Sequence, residues 1–264
     1  MSQFENNKIQ VYEKIVQLKN ERKISMDKLE KIYSLKKELD NRRPLSPSEI
    51  RRIRENYIIK NTYNSNAIEG NTLTEMETRV ILETGITVAK KTLREHLEVK
   101  NHAEALDFIE DLKNNPLSEY DIKSIHSIIL DGIDRLNVGK YRTNNVEIGG
   151  ATHPVTPSYL ISEQMYELLK WYHSETITLN RIIEFTCRFI NIHPFIDGNG
   201  RTSRLLTNLE LLKLGYPPIT ILTTDRLEYY QILDMSYYKD YTPAYDFFYN
   251  QIIQSLKEYL EYSK

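Results

Sequence analysis

Apolar residues recur at helical spacing along most of the chain, with charged residues between them on the opposite helix faces. The first such pattern occupies residues 1–40 and breaks at 41–45. A new helix is predicted to begin at Ser46, because Ser-Pro-Ser-Glu from Ser46 to Glu49 forms a capping box with proline at the first helical position. This helix should end at Gly70, since glycine suits the left-handed position just past a helix.

Helical periodicity continues towards the C-terminus with one interruption, at residues 137–157. Within it, Val146, Glu147 and Ile148 alternate in polarity before Gly149 and a second glycine. This pattern is typical of a short strand followed by a turn. The predicted fold class is therefore all-α with one small β-hairpin.

Length and composition limit the number of domains, the partners and the compartment that we expect. A chain of 264 residues can hold one large domain, and we predict a helical N-terminal extension, 1–45, followed by one helical domain, 46–264. The net charge of −2 gives no reason to expect nucleic acid as a partner. The single cysteine, Cys187, excludes an internal disulfide framework and suits a reducing compartment. No apolar run reaches the roughly 18 residues that a spanning helix needs, so we expect a soluble, cytoplasmic protein without membrane contact.

The densest cluster of reactive side chains lies between two predicted helices, at residues 193–204. Helix N-termini carry unpaired N–H groups and the positive end of the dipole, and the Gly-Asn-Gly sequence here would let phosphate oxygens approach. Arg201 and Arg204 are three residues apart on the second helix, so both can face one anion. The pattern indicates a polyphosphate site with a general base, His193, at its rim and an acid, Asp197, placed to hold a metal.

This loop resembles the signature of Fic-domain proteins, His-x-Phe-x-Asp/Glu-Gly-Asn-Gly-Arg-x-x-Arg, at every specified position. Most members of that family transfer AMP from ATP to hydroxyl side chains of other proteins. The resemblance implies the same activity and a Fic-type helical bundle here. It also implies that His193 removes the proton of the target hydroxyl and that Asp197 holds Mg²⁺. The residues that it assigns to ATP are Gly198, Asn199, Gly200, Arg201, Thr202 and Arg204.

An acid, Glu69, stands in the last turn of the predicted helix 46–70, where the helix dipole disfavours a carboxylate. Ser65 lies four residues earlier on the same face. The residues alone leave open whether a cationic partner or open water stabilises Glu69. The segment from Ser65 to Gly70 resembles the Ser/Thr-x-x-x-Glu-Gly/Asn inhibitory motif of Fic proteins. That resemblance implies that Glu69 pairs with Arg204 and that helix 46–70 autoinhibits the enzyme.

The interrupted stretch has a counterpart in the same family. By position, the segment with Val146, Glu147, Ile148 and Gly149 resembles the Fic flap, a hairpin that holds the target segment over the active site. An exposed strand edge can bind an extended peptide through main-chain hydrogen bonds. A plain surface hairpin is the alternative interpretation.

A tyrosine pair, Tyr229 and Tyr230, stands where a pair borders adenine in Fic proteins. Stacking on a tyrosine would suit adenine, although ordinary core packing of the two rings is the alternative. The family often has an asparagine a few residues later, and this chain has Tyr237 there. The sequence therefore leaves open whether these tyrosines contact the adenine.

The function favoured by the resemblance is a protein adenylyltransferase that uses ATP and Mg²⁺ and modifies a Ser, Thr or Tyr hydroxyl of a target protein. Self-modification and a homodimer are further expectations. The intact Gly-Asn-Gly sequence and Arg204 favour a triphosphate bound with its α-phosphate near His193. Two alternatives remain: a Fic-type transferase of UMP, phosphate or phosphocholine, and an interaction module that senses nucleotide.

Overall fold

The computed structural model describes residues 26–263, and within this range the chain folds into ten α-helices. The part of the predicted extension before residue 26 lies outside the described residues. The helices are α1 (26–41), α2 (Pro47–Ile68), α3 (Glu75–Thr84), α4 (Leu93–Leu112), α5 (Glu119–Ile129), α6 (Ile161–His173), α7 (Leu179–Ile192), α8 (Asn199–Lys213), α9 (Arg226–Ser236) and α10 (Thr242–Tyr262). None of these helices is long and apolar enough to cross a membrane.

Local sequence signals set most helix boundaries. The predicted capping box at Ser46 is confirmed, because its side chain accepts from the backbone of Glu49 while the Glu49 carboxylate accepts from the backbone of Ser46. Gly70 follows the end of α2 with a φ of +98°, as predicted for a residue past a helix. Helix α9 lacks a side-chain cap, since the side chain of Asp225 makes no capping bond and a short 3-10 turn precedes the helix.

Helix α8 is the centre of the fold and packs against α2, α4, α5 and α7. Most of its side chains are buried although many are polar, so each needs a partner. Asn208 holds the backbone of Ile219 in both directions, at 2.8 and 3.0 Å. Glu210 accepts a 2.7 Å hydrogen bond from the buried Tyr172 hydroxyl. These bonds fix the position of α8, and with it the loop at its N-terminus.

Helix α1 packs on the rest of the molecule. Ile32 and Leu39 are completely buried in the main hydrophobic core. Arg42, just past α1, donates to the carbonyl of Leu260 at the end of α10, at 2.8 Å. The described part of the predicted extension therefore shares the core of the helical domain, and the boundary at residue 45 stays a prediction.

The predicted β-hairpin is wrong for the described residues: no strand forms between residues 26 and 263. Residues 143–157 form an irregular loop, which we call the flap loop. The Arg142 guanidinium donates to the carbonyls of Asn144 and Thr156, one at each end of this loop. A buried side chain thus holds the two arms where a hairpin would use a ladder of backbone hydrogen bonds.

Candidate active site

The signature loop runs from His193 to Gly198 between α7 and α8 and is held by its own side chains. Phe195 is fully buried, and the amide of Asn199 bonds its backbone N–H and carbonyl at 2.9 and 2.8 Å. Gly198 has a φ of +80°, a conformation that favours glycine. Because both ends of the Asn199 amide are engaged, this side chain shapes the loop and does not face the pocket.

His193 ends α7 in the left-handed conformation, with a φ of +52°, and lines the pocket described below. Burial, together with the charge of Arg142, lowers the pKa of His193 to about 4. The imidazole is therefore neutral at pH 7 and can accept a proton. This is the protonation state that a general base needs.

Arg142, which the sequence did not single out, holds the candidate base His193 in place. Its guanidinium donates to the carbonyl of His193 at 2.8 Å, and its backbone N–H donates to the carbonyl of Pro194 at 2.9 Å. The same side chain holds the ends of the flap loop, so one buried arginine joins that loop to the histidine. Such tertiary contacts leave no periodicity or motif in the sequence.

His126 on α5 supports the signature loop directly. Its ring stacks on Phe195 at a centroid distance of 3.7 Å. Gly139 N–H donates to Nδ1 at 3.0 Å, so the proton of the neutral ring lies on Nε2 and is donated to the carbonyl of Asp197 at 2.9 Å. Burial lowers the pKa of His126 to about 4, which keeps the ring neutral.

The carboxylate of Asp197 is paired with two arginines. Oδ1 accepts from Gly198 N–H at 2.6 Å and from Arg201 at 3.1 Å, and Oδ2 accepts from Arg94 at 2.5 Å. Burial raises the pKa of Asp197, but the arginines and the Gly198 N–H outweigh it, and the pKa lies below its ordinary value. Asp197 is therefore ionised at neutral pH.

Asp197 is the predicted metal ligand. No group of three or more His, Cys, Asp or Glu side chains among residues 26–263 could hold a metal ion. Mg²⁺ at nucleotide sites commonly uses one or two carboxylates and takes its other ligands from phosphates and water. The donor set here fits a Mg²⁺ ion that arrives with a polyphosphate.

The two signature arginines contact different acids. Arg201 is 2% exposed and lies between Asp197 and Glu98, whose carboxylate is 3.2 Å from its Nη1. Arg204 turns to the other side, towards α2. The two guanidiniums therefore contact different acids of this chain, and that both can face one anion stays a prediction. Glu98 is a further residue that the sequence did not single out.

Arg204 joins α8 to the C-terminal end of α2. It donates to the Ser65 hydroxyl at 2.9 Å, to the Ser65 carbonyl at 2.8 Å and to the Glu69 carboxylate at 2.8 Å. Burial lowers the pKa of Arg204, but Glu69 outweighs it, so the pKa lies above its ordinary value. A cationic partner, and not open water, therefore stabilises Glu69. The other terminal nitrogen of the Arg204 guanidinium, Nη1, is buried without a hydrogen-bond partner.

The carboxylate of Glu69 lies against the first turn of α8. A Cβ atom added to Gly200 would stand only 2.2 Å from Glu69 Oε1. An anion is thus already present at the helix N-terminus, the place where backbone N–H groups and the dipole favour negative charge. Glycine at position 200 permits this approach.

A pocket of about 350 Å³ opens beside this contact. Its lining includes Glu69, Ile148, Gly149, His193, Gly200, Arg204, Tyr229 and Tyr230. Among the other predicted site residues, Thr202 is fully buried. Val146, Glu147 and Gly70 do not line the pocket.

The two predicted base-site tyrosines differ in accessibility. Tyr229 is 1% exposed, and its ring packs against Phe247, so most of this ring lies in the hydrophobic core. Tyr230 is 38% exposed, and its hydroxyl donates to the carbonyl of Ile68 at 3.1 Å. Tyr237 lies outside the pocket lining.

The flap loop is attached to α9 beside the pocket. Thr152 donates its backbone N–H and its hydroxyl to the Asp234 carboxylate, at 2.8 and 2.6 Å. Tyr237 stacks on His153 of the loop at a centroid distance of 4.0 Å. These contacts position Ile148 and Gly149 at the edge of the pocket.

Comparison with known proteins gives consistent results. The Fic/DOC family profile matches residues 116–211. Fic-1 from Caenorhabditis elegans has a similar structure, with a TM-score of 0.84 and 30% identity over 98% of this chain and 78% of that one. A Fic-domain-containing signalling protein from Bacteroides thetaiotaomicron has a TM-score of 0.81 and 30% identity over 88% of this chain and 97% of that one.

Curated relatives are similar over most of this chain but are longer. Protein adenylyltransferase fic-1 from Caenorhabditis briggsae is 37% identical over 201 residues, which are 73% of this chain and 39% of the relative. Protein adenylyltransferase Fic from Drosophila erecta is 33% identical over 221 residues, 81% of this chain and 44% of the relative. The chain thus spans less than half of the length of these relatives. Because the signature loop, the helical fold and these similarities agree, the chain belongs to the Fic/DOC family.

Proposed function

We propose that this protein is a protein adenylyltransferase that moves AMP from ATP to a Ser, Thr or Tyr hydroxyl of a target protein. The observation that carries the proposal is the placement of a neutral His193 beside an anion site at the N-terminus of α8, within one pocket. The names of the curated relatives support the same activity.

In this reaction His193 accepts the proton of the target hydroxyl. The hydroxyl oxygen bonds to the α-phosphorus, the bond from that phosphorus to the bridging oxygen breaks, and pyrophosphate leaves. Backbone N–H groups of Asn199 and Gly200 hold phosphate oxygens, the Gly198 N–H stays on Asp197, and the planar fork of Arg204 binds the terminal phosphate. Mg²⁺, held by Asp197, would offset the charge of the phosphates.

The other predicted site residues act in different ways. Arg201 stays between its two acids and fixes the position of Asp197. Tyr230 offers its exposed ring face to the adenine, while Tyr229 supports Arg204 from the core. Thr202 contributes through the packing of the first turn of α8.

Autoinhibition is the second part of the proposal. With Glu69 on Arg204 and against Gly200, the site for the terminal phosphate is occupied by a carboxylate of this chain. ATP then binds weakly or with its α-phosphate displaced from His193. Release of the segment from Ser65 to Gly70, at the end of α2, would clear the site.

Target docking is assigned to the flap loop even though no hairpin forms. Val146 and Glu147 precede a turn that Ile148 and Gly149 begin and that the Ala151 N–H closes on the Ile148 carbonyl. Ile148 and Gly149 stand at the pocket edge, so a peptide bound along this segment would present its hydroxyl to His193.

The wider setting of the activity is also proposed. A single, buried and free cysteine, Cys187, fits a reducing compartment such as the cytoplasm. Self-modification and a homodimer accompany the activity. Mass spectrometry of protein incubated with ATP tests the first, and light scattering during size-exclusion chromatography tests the second.

Labelled ATP separates the proposal from its rivals. Label at the α-phosphate should appear on protein, and label at the γ-phosphate should not. Transfer of γ-label would identify a kinase-type reaction, and label from UTP alone would identify UMP transfer. Nucleotide binding without any transfer, also in a Glu69→Gly variant, would identify a nucleotide-sensing module.

A further inference from the structure

Four alternating charges form a closed ring at the metal side of the signature loop. Arg94 Nε bonds Glu98 Oε1 at 3.0 Å, and Glu98 Oε1 lies 3.2 Å from Arg201 Nη1. Arg201 Nη2 lies 3.1 Å from Asp197 Oδ1, and Asp197 Oδ2 accepts from Arg94 Nη2 at 2.5 Å. Each charge in the ring has an opposite charge on both sides.

The members of this ring differ in freedom. The side chains of Arg201 and Glu98 are 2% and 10% exposed, so both are fixed inside the protein. The side chain of Arg94 is 56% exposed. Glu98 also accepts from Asn71 at 2.9 Å, which leaves it partnered if Arg94 moves. Arg94 is therefore the member that can leave the ring most easily.

The two oxygens of Asp197 are held differently. Oδ1 is held by the backbone of Gly198 and by the buried Arg201, which belong to the loop and to α8. Oδ2 is held by Arg94, which reaches over from α4. A guanidinium and a divalent cation repel each other strongly at contact distance, so they do not share this oxygen.

We propose that Arg94 is a built-in competitor for the metal: its guanidinium holds Asp197 Oδ2 until a divalent cation displaces it. The inference rests on the proposed function, since it takes Asp197 as the metal ligand. After displacement, Arg94 remains bound to Glu98 through Nε and stays at the rim of the site. The competition lowers the affinity of the nucleotide-free protein for divalent cations.

The test is direct binding of Mn²⁺, a paramagnetic substitute for Mg²⁺ that prefers the same oxygen ligands. Free Mn²⁺ is measured by electron paramagnetic resonance in titrations of the nucleotide-free protein. Arg94→Ala and Arg94→Gln should each bind Mn²⁺ about three- to tenfold more tightly than the wild type. Adding Asp197→Asn to either variant should remove the gain.

A matched control is Arg54→Ala. Arg54 also forms an exposed ion pair, with Asp107 at 2.7 Å, and its side chain is 53% exposed, but this pair joins α2 to α4 and includes no member of the ring. Its loss should leave Mn²⁺ binding unchanged. Circular dichroism melting confirms that each variant is folded.

Equal or weaker Mn²⁺ binding in both Arg94 variants would overturn the inference, as would an equal gain in Arg54→Ala or no Asp197-dependent binding in any protein. The proposed function is judged separately, by AMP transfer from α-labelled ATP. Transfer with unchanged Mn²⁺ affinity in the Arg94 variants refutes the competitor alone. Tighter Mn²⁺ binding without transfer in any variant refutes the adenylyltransferase alone.

Discussion

At the scale of single residues, the candidate reactive groups are held by side chains from distant parts of the chain. His193, Asp197 and Arg204 belong to a contiguous loop and a recognisable motif. Their supports come from far along the chain: Arg142 lies 51 residues from His193, and Arg94 lies 103 residues from Asp197. Such contacts depend on the tertiary fold, and local patterns do not report them.

His193→Ala should abolish AMP transfer and leave ATP affinity within a few fold. The neutral imidazole is the proton acceptor in the pocket, whereas the phosphates are held by α8. Transfer is measured with α-labelled ATP in a Glu69→Gly background, and affinity is measured by calorimetry. Transfer at the rate of the parent protein would refute the assignment of the base.

Asp197→Ala should remove the dependence of AMP transfer on divalent metal together with the activity itself. This carboxylate is the acid of the signature loop, and no cluster of three ligands exists among residues 26–263 to replace it. A magnesium titration of residual transfer checks the prediction. A variant with the titration curve of its parent would contradict it.

At the scale of secondary structure, helices were predictable where their caps are local, as at Ser46 and Gly70. The hairpin was not, because alternation over three residues does not guarantee a partner strand. Here the Arg142 side chain supplies the hydrogen bonds that a ladder would have supplied. The end of α2 shows a similar dependence, since Arg204 stabilises the acid that the helix dipole disfavours.

Tyr230→Phe should raise transfer by the wild-type chain about two- to fivefold. The Tyr230 hydroxyl donates a hydrogen bond to the carbonyl of Ile68 at the end of α2, where carbonyls have no partner within the helix. Losing a hydrogen bond of about 1 kcal/mol would weaken the closed position of α2, while the ring remains for the base. Labelled-ATP incorporation measures the effect.

The matched control for this substitution is the same change in a Glu69→Gly background. In that background the ion pair between Glu69 and Arg204 is already absent, so Tyr230→Phe should not raise AMP transfer further. A gain of equal size in both backgrounds would show that the hydroxyl acts on the nucleotide and not on α2.

At the scale of the whole molecule, three histidines stay neutral: His102 and His126 are buried in the protein, and His193 is partly buried beside the pocket. Burial lowers the pKa of His102 to about 3 and that of His126 and His193 to about 4. In the unfolded chain these groups titrate near the ordinary value of about 6.5. The unfolded state therefore binds more protons between these values, and folding stability decreases as the pH falls below about 6.5.

The urea midpoint should therefore decrease markedly from pH 7 to pH 5. Each histidine contributes up to about 1.4 kcal/mol per pH unit in this range. Carboxylates with lowered pKa values, such as Glu95 at about 2, lose their contribution mainly at lower pH. His102→Gln should be less stable at pH 7 but less sensitive to pH. A constant midpoint from pH 7 to pH 5 would contradict this.

The claim that the molecule is an adenylyltransferase held closed by its own helix is tested most directly by α-labelled ATP incorporation in four proteins. These are the wild type, Glu69→Gly, Arg204→Ala and the double variant. Glu69→Gly should transfer at least about tenfold faster than the wild type, equivalent to roughly 1.4 kcal/mol. Arg204→Ala should show no gain, and the double variant should resemble it. The reason is that Arg204 both forms the inhibitory ion pair with Glu69 and binds the terminal phosphate. Equal rates for the wild type and Glu69→Gly would contradict the claim.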